Sequence, residues 1–385
     1  MSRDERKELI EQIEAYRHSK VICYVTGDRA PFPAQIGDDA VRPLYQHLRD
    51  LGHVPRLDLF LYSHGGAIDV PWRIVSALRR ASDEWNTLIP FRANSAATLI
   101  AMGADSIIFG QHGELGPIDP TMNVRRMVQI PGGSSTFVQD QVSVEDVMAY
   151  VRFVQERGGL SDQHALATAL AKLTDRVDPV ALGNVYRTFS HIRDVARRIL
   201  LSRRTPASED ILNAIVSTLA ERVYAHGHAI GFTVAAEIGL PVTAAETDLD
   251  NLLWQLFETY EADMRLLEPI DPAVVVETQN LFRETGTIAI IESTTGSNEF
   301  RGDMEVRAKR QMPANLQVSV NFNLQLPPGT QLPAQAQQVL QQLMQQVQQV
   351  GLQQAQQAVE QALQSQAPLI GAEAALRNGR WVRAA

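Results

Sequence analysis

The stretch FRANSAATLIAMGAD, residues 91–105, decides how the chain folds around its most interesting side chain. Upstream, NTLIPFRA reads as an apolar strand. Downstream, AATLIAMGA is apolar and small-residue-rich, the composition of a helix packed tightly on all sides. Ser95 stands at the join. One reading makes it a helix N-cap, its oxygen accepting from backbone N–H groups two or three residues on. The other makes it a nucleophile on a strand-to-helix turn, with the following N–H groups free to bind an oxyanion. Both readings stay open on this stretch alone.

Outward from Ser95 the chain alternates strand and helix. KVICYVTGD is a strand ending in a Gly-Asp turn, and GDDAVRPLYQHLRDLG is an amphipathic helix stopped by Gly52. RLDLFLYS, NTLIPFRA and DSIIFG are further strands, with helices in AIDVPWRIVSALRRA and AATLIAMGA between them. Apolar strands separated by helices specify an α/β fold whose largely parallel strands are covered on both faces.

Composition narrows the function class. The 385 residues are 45% hydrophobic and 21% charged, as in ordinary globular proteins. A net charge of −9 gives no global basic field for nucleic acid or an anionic membrane. The single cysteine, Cys23, excludes an internal disulfide and lies in a strand-like run that points to a buried thiol. The N-terminal sequence is charged and helical in pattern, unlike a signal peptide, and the apolar runs are too short to span a bilayer. The cytoplasm is the expected location, without a transmembrane segment.

Beyond ELGPIDPT the pattern changes. MVQIPGGSSTFVQDQ reads as a loop or hairpin, and the chain from Ser143 to Gly227 as almost all helix. Pro and extended character near residue 265 set the expected domain edge. The expected organisation is a catalytic domain over 1–265, a small β-rich segment over 266–330 and a Gln-rich amphipathic helix with its tail over 331–385. TGTIAIIESTTGSNEF and ANLQVSVNFNLQLPPG alternate like solvent-facing strands. In the Gln-rich helix Ala336, Leu340, Leu343, Val347 and Val350 form a short a/d seam, suited to a partner or a second copy.

The second strand runs into SHGGAIDVPWRIV. Two glycines there let backbone approach a ligand closely, and the helix start presents unpaired N–H groups. At the carboxyl edge of a parallel sheet, Gly65 and Gly66 converge with the turn after Ser95, so their N–H groups and that of Ala96 form a candidate oxyanion hole. SHGGAIDVPWRIV, ANSAATLIAMGADSIIFGQHGELGPIDP and YAHGHAIGFTVAAEIGLPV together resemble the serine dehydrogenase proteinase family. That family is a distant relative of Clp protease and signal peptide peptidase A. The resemblance runs from about Lys20 to Val242.

The resemblance implies a ClpP/crotonase-like spiral of strands and helices and an ATP-independent serine peptidase acting on peptide or protein substrates. It also implies a homo-oligomer, since the fold's relatives assemble into rings or stacks. Ser95 matches the nucleophile. In the family's Ser–Asp–His order, Asp119 of GPIDP and His226 of AHGHAI are the matching partners, with His228 an alternative base. Asp119 before Pro120 also reads as a helix cap, and His112 and His191 are rival imidazoles. Signal peptide peptidases pair Ser with a buried Lys. Of the chain's four lysines among 35 basic residues, only Lys172 follows Ser95 inside the catalytic segment.

Two other classes compete. One is a catalytically inert scaffold that recruits partners through the Gln-rich helix. The other is a crotonase-type acyl-transfer enzyme, for which the sequence shows no nucleotide pocket. No phosphate loop, HExxH helix or completed metal cluster appears, so neither cofactor nor metal is expected. Nor does a basic, aromatic-interleaved surface for nucleic acid. Membrane-linked relatives leave recruitment to a membrane through a partner open.

Overall fold

A computed structural model describes residues 3–118, 121–129, 135–158, 162–174, 178–222, 229–311 and 333–384. These residues form two units. The first comprises 1–269, 286–302 and 379–385, and the second 270–285 and 303–378.

The first unit is built on a mostly parallel sheet. Its strands are β1 (Lys20–Thr26), β2 (Val54–Tyr62), β3 (Ser82–Ile89), β5 (Ser106–Phe109) and β9 (Val242–Ala244), hydrogen-bonded in the order β1-β2-β3-β5-β9. The register pairs Val25 with Tyr62, Phe60 with Leu88 and Ile89 with Phe109. Along each strand, side chains alternate between two cores, because successive Cβ atoms face opposite sides. Ile22, Tyr24, Leu57, Leu59 and Leu61 enter one core, with Leu44 and Leu48 of α2 (Val41–Leu51) and Ile74 and Leu78 of α3 (Val70–Ala81). Leu99 and Ile100 of α4 (Ala96–Met102) and Ile192 and Ile199 of α7 (Pro179–Leu201) complete it. Val21, Cys23, Val25, Phe60 and Tyr62 enter the other, against Ile10 and Ile13 of α1 (Arg3–Arg17) and Phe257 and Tyr260 of α10 (Thr247–Asp263). A sheet covered on both faces explains why its strands read as unbroken apolar runs.

Shorter strands and further helices complete the unit. β4 (Arg92–Ala93) pairs in parallel with β6 (Glu114–Leu115). β7 (Thr121–Gln129) and β8 (Ser135–Ser143) form the antiparallel hairpin expected from the Gly/Ser-rich stretch. α5 (Val144–Arg152), α6 (Gln163–Thr174), α8 (Glu209–Ser217) and α9 (Phe232–Glu237) supply the helical segment.

β10 (Leu281–Ser293) departs from expectation. It pairs antiparallel with β1, Tyr24 opposite Ile291, and residues 288–293 are buried throughout rather than alternately solvent-facing. The reason is positional: strand β1 offers a free edge, and a strand that fills it gains cover on both faces. Arg6, 2% exposed, bridges Glu292 and Asp263 at 2.7 Å each beside this strand. Cys23 is buried here, and burial pushes its thiol up.

In the second unit, Asp271 caps α11 (Pro272–Val275) by accepting from Ala273 and Val274 N–H groups. β11 (Gly296–Arg310) carries Glu305, which pairs with Arg283 and Arg307. The Gln-rich sequence forms one continuous helix, α12 (Ala334–Gln366), with Leu343, Val347 and Val350 about half exposed, at 51%, 49% and 54%. β12 (Leu369–Ala384) ends the described chain. The strand expected in ANLQVSVNFNLQLPPG lies outside the described residues.

Candidate active site

Ser95 follows β4 and Asn94 and precedes the first residue of α4. Its backbone has φ 52° and ψ −113°, left-handed space that a non-glycine residue enters only under constraint from its surroundings. The side chain makes no capping hydrogen bond to α4, so the cap reading of Ser95 does not describe this turn. Ala96 N–H, at the first helical position, has no intrahelical acceptor.

The constraint comes from the neighbouring loop. A Cβ on Gly65 (φ 107°) would lie 2.7 Å from Ser95 Cβ, 2.8 Å from Asn94 O and 3.2 Å from Ala96 N. Only glycine lets the two turns touch. A Cβ on Gly66 would meet Ile36 backbone at 2.3 Å. Ile36 N–H donates to Gly65 O at 2.8 Å, and Ala67 N–H donates to Ile36 O at 2.9 Å. Gly65 N–H donates to Ser63 Oγ at 3.0 Å. Gly66 N–H has no hydrogen-bond acceptor among the described residues.

Two buried hydroxyls lock the turn. Ser63 Oγ accepts from Thr26 Oγ1 at 2.7 Å, while Ser63 N–H donates to Arg92 O and Asn94 N–H to Ser63 O. Thr98, fully buried, donates to Ala93 O at 2.7 Å and lies 2.8 Å from Gly116 O. Gly116 N–H in turn donates to Ala93 O, and Ile118 N–H to Leu219 O. Leu115 and Ile230 exchange backbone hydrogen bonds at 3.0 and 2.8 Å.

The other expected site residues fall differently. Asp119, His226 and His228 lie outside the described residues. The chain is nonetheless anchored at Leu115–Ile118 and at Ile230, beside the Ser95 turn, immediately before the first and two residues after the last. Lys172 is exposed on α6, a helix without a fully buried residue, so it lacks the burial a Ser–Lys dyad uses. His191 Nε2 lies 2.7 Å from Asp69 Oδ1 and His112 packs edge-on to Trp254, so each has a partner other than Ser95.

A second pair at this edge escaped sequence reasoning. His64 Nε2 lies 2.9 Å from Asp28 Oδ2, and Tyr62 OH donates to the same oxygen at 3.1 Å. Burial pushes the Asp28 carboxyl up, but the hydrogen bonds from His64 and Tyr62 outweigh it and hold the group below its ordinary range. The signal was available: Asp28 lies two residues beyond β1 and His64 two beyond β2, its neighbour in the sheet.

The model of the ClpP-like SDH-type serine proteinase family matches residues 2–148. An uncharacterized protein of Methanocaldococcus jannaschii is 24% identical over 211 residues, 54% of this chain and 60% of that protein. A second uncharacterized protein of that organism is 27% identical over 121 residues, 30% of this chain and 41% of the other. The chain thus spans about three fifths or less of the curated relatives it matches. The segment that resembles the ClpP-like SDH-type serine proteinases, residues 2–148, holds Gly65, Gly66 and Ser95.

Proposed function

We propose that the protein is a serine peptidase with Ser95 as its nucleophile. The observation that carries this reading is the left-handed backbone of Ser95, a strained conformation at a strand-to-helix turn that a helix cap does not require. The Ser95 hydroxyl attacks the scissile carbonyl, and the N–H groups of Gly66 and Ala96, unengaged among the described residues, receive the developing negative oxygen. Gly65 serves this hole by close approach rather than by its own N–H, which Ser63 already occupies. His226 takes the Ser95 proton, oriented by Asp119, with His228 the alternative base. The anchoring of Leu115–Ile118 and Ile230 beside the Ser95 turn supports that choice. The working form is a homo-oligomer, supported by the exposed apolar seam of α12.

The test is labelling with a fluorophosphonate probe alongside cleavage of unstructured protein substrates. Wild type is expected to label and cleave. S95A abolishes both, and H226A or D119N slows both by about a thousandfold or more. Full-strength labelling of S95A overturns the assignment. A wild type that neither labels nor cleaves favours the inert scaffold.

A further inference from the structure

The amino ends of β3 and β5 lie at the opposite end of the sheet from Ser95, and a cavity of about 260 Å³ opens there. Glu84, Asn86, Asp105, Ser106, Arg203 and Arg204 line most of it. Its charges are unevenly satisfied. Asp105 accepts from Arg79 at 2.6 Å and from the N–H groups of Trp85 and Arg204 at 3.1 and 3.0 Å. Glu84 accepts from Arg56 at 3.1 Å and from Asn86 at 3.2 Å. Both carboxylates are therefore compensated.

Arg203 is not. It is only 6% exposed, and the one hydrogen bond of its guanidinium among the described residues runs from Nε to Met102 O at 2.7 Å. Its Nη2 is buried without a partner among the described residues. For the Arg204 guanidinium, too, no partner occurs among the described residues. Burial pulls the Arg203 guanidinium down to about 10, against the raising pull of Asp105, and the Arg79 charge adds to the fall. A buried guanidinium whose Nη2 is unpartnered lacks part of the compensation that such charges ordinarily have. Its planar fork matches the two oxygens of a carboxylate or phosphate.

We propose that this cavity binds the phosphate or carboxylate group of a small molecule through Arg203 and Arg204. The volume admits a ligand of metabolite size, below that of most drug-sized sites. Ser106, whose hydroxyl lies 3.2 Å from Thr243 Oγ1, and Thr205 add neutral donors for the remaining oxygens. The site is separate from the Ser95 reading and stands without it.

Thermal unfolding and titration calorimetry of the full chain in sodium phosphate, sodium acetate and sodium chloride at matched ionic strength test this. Phosphate or acetate should raise Tm saturably over chloride, by ~5–10 °C at a hundredfold excess over Kd. R204Q should weaken the Kd about tenfold or more, and R203Q should abolish binding. R203Q also loses the Met102 bond, so wild-type calorimetry and R204Q decide the matter if R203Q does not fold. A response to phosphate alone identifies a phosphate-bearing ligand, and to acetate alone a carboxylate. Neither heat nor a Tm rise in either anion, or a rise unchanged in R204Q, overturns the proposal.

Discussion

Gly65→Ala puts the geometry around Ser95 to a quantitative test. The new methyl would sit 2.7 Å from Ser95 Cβ and 2.8 Å from Asn94 O, neither of which is the end of a flexible side chain. Overpacking of this kind costs about 1–3 kcal/mol, and holding a non-glycine residue at φ 107° costs about 1–3 kcal/mol more. The sum, about 2–6 kcal/mol, corresponds to a Tm loss of roughly 5–20 °C for a unit of this size. Gly52→Ala is the internal control. Gly52 also has positive φ, 70°, but no described atom within 4 Å of its would-be Cβ, so only the backbone cost of about 1–3 kcal/mol remains. Thermal unfolding of both variants separates the two contributions. Fluorophosphonate labelling below both Tm values should then be about a hundredfold slower in G65A and unchanged in G52A, because a small displacement of the loop misplaces its donors. If G65A is no less stable than G52A and labels at the wild-type rate, the contact between the two turns does not constrain the site.

Other contacts of the fold carry their own measurable consequences. S95G should unfold about 1–2 kcal/mol later than S95A, because glycine enters the left-handed region of this turn without strain; equal stability in urea unfolding would show the turn to be relaxed. R6M leaves Glu292, 2% exposed, without its ion pair and should cost about 3–5 kcal/mol in urea unfolding, with R6M/E292Q recovering part of it. His47 is fully buried, and burial lowers its imidazole below the ordinary value of 6.5. The unfolded chain therefore binds this proton first. The stability His47 contributes is present above about pH 6.5 and falls as pH drops toward the folded value, with a slope of up to about 1.4 kcal/mol per pH unit. Stability measured between about pH 7 and pH 5 should fall less steeply in H47Q.

The alternation of KVICYVTGD, RLDLFLYS and NTLIPFRA with amphipathic helices made the parallel sheet legible, because burial on both faces leaves continuous apolar runs. β10 was not legible in the same way. Residues 281–287 alternate, and only a partner remote in sequence, β1, decides that 288–293 are covered on both faces. The Gly-Gly turn and Ser95 were legible as a convergence, whereas the choice between cap and exposed hydroxyl was not. Both share the same local sequence, and the deciding φ arises from Gly65 packing across from another strand end. Asp28 and His64 stand 36 positions apart and meet only through the pairing of neighbouring strands.

The tie between Ile36 and the Gly65–Gly66 loop bears on how a long substrate could arrive. Extended peptides often dock by adding themselves to an exposed backbone edge. Here the loop's edge is taken by the chain's own Ile36, and Ala93 is flanked by Ser63 on one side and Leu115 on the other. Strand addition at the Gly65–Gly66 edge therefore requires residues 34–36 to swing away first, and the protein carries its own competitor for that position. Each such departure frees the Ile36 and Ala67 amides together. Their exchange with deuterated water thus counts the moments at which that edge stands open to an extended chain.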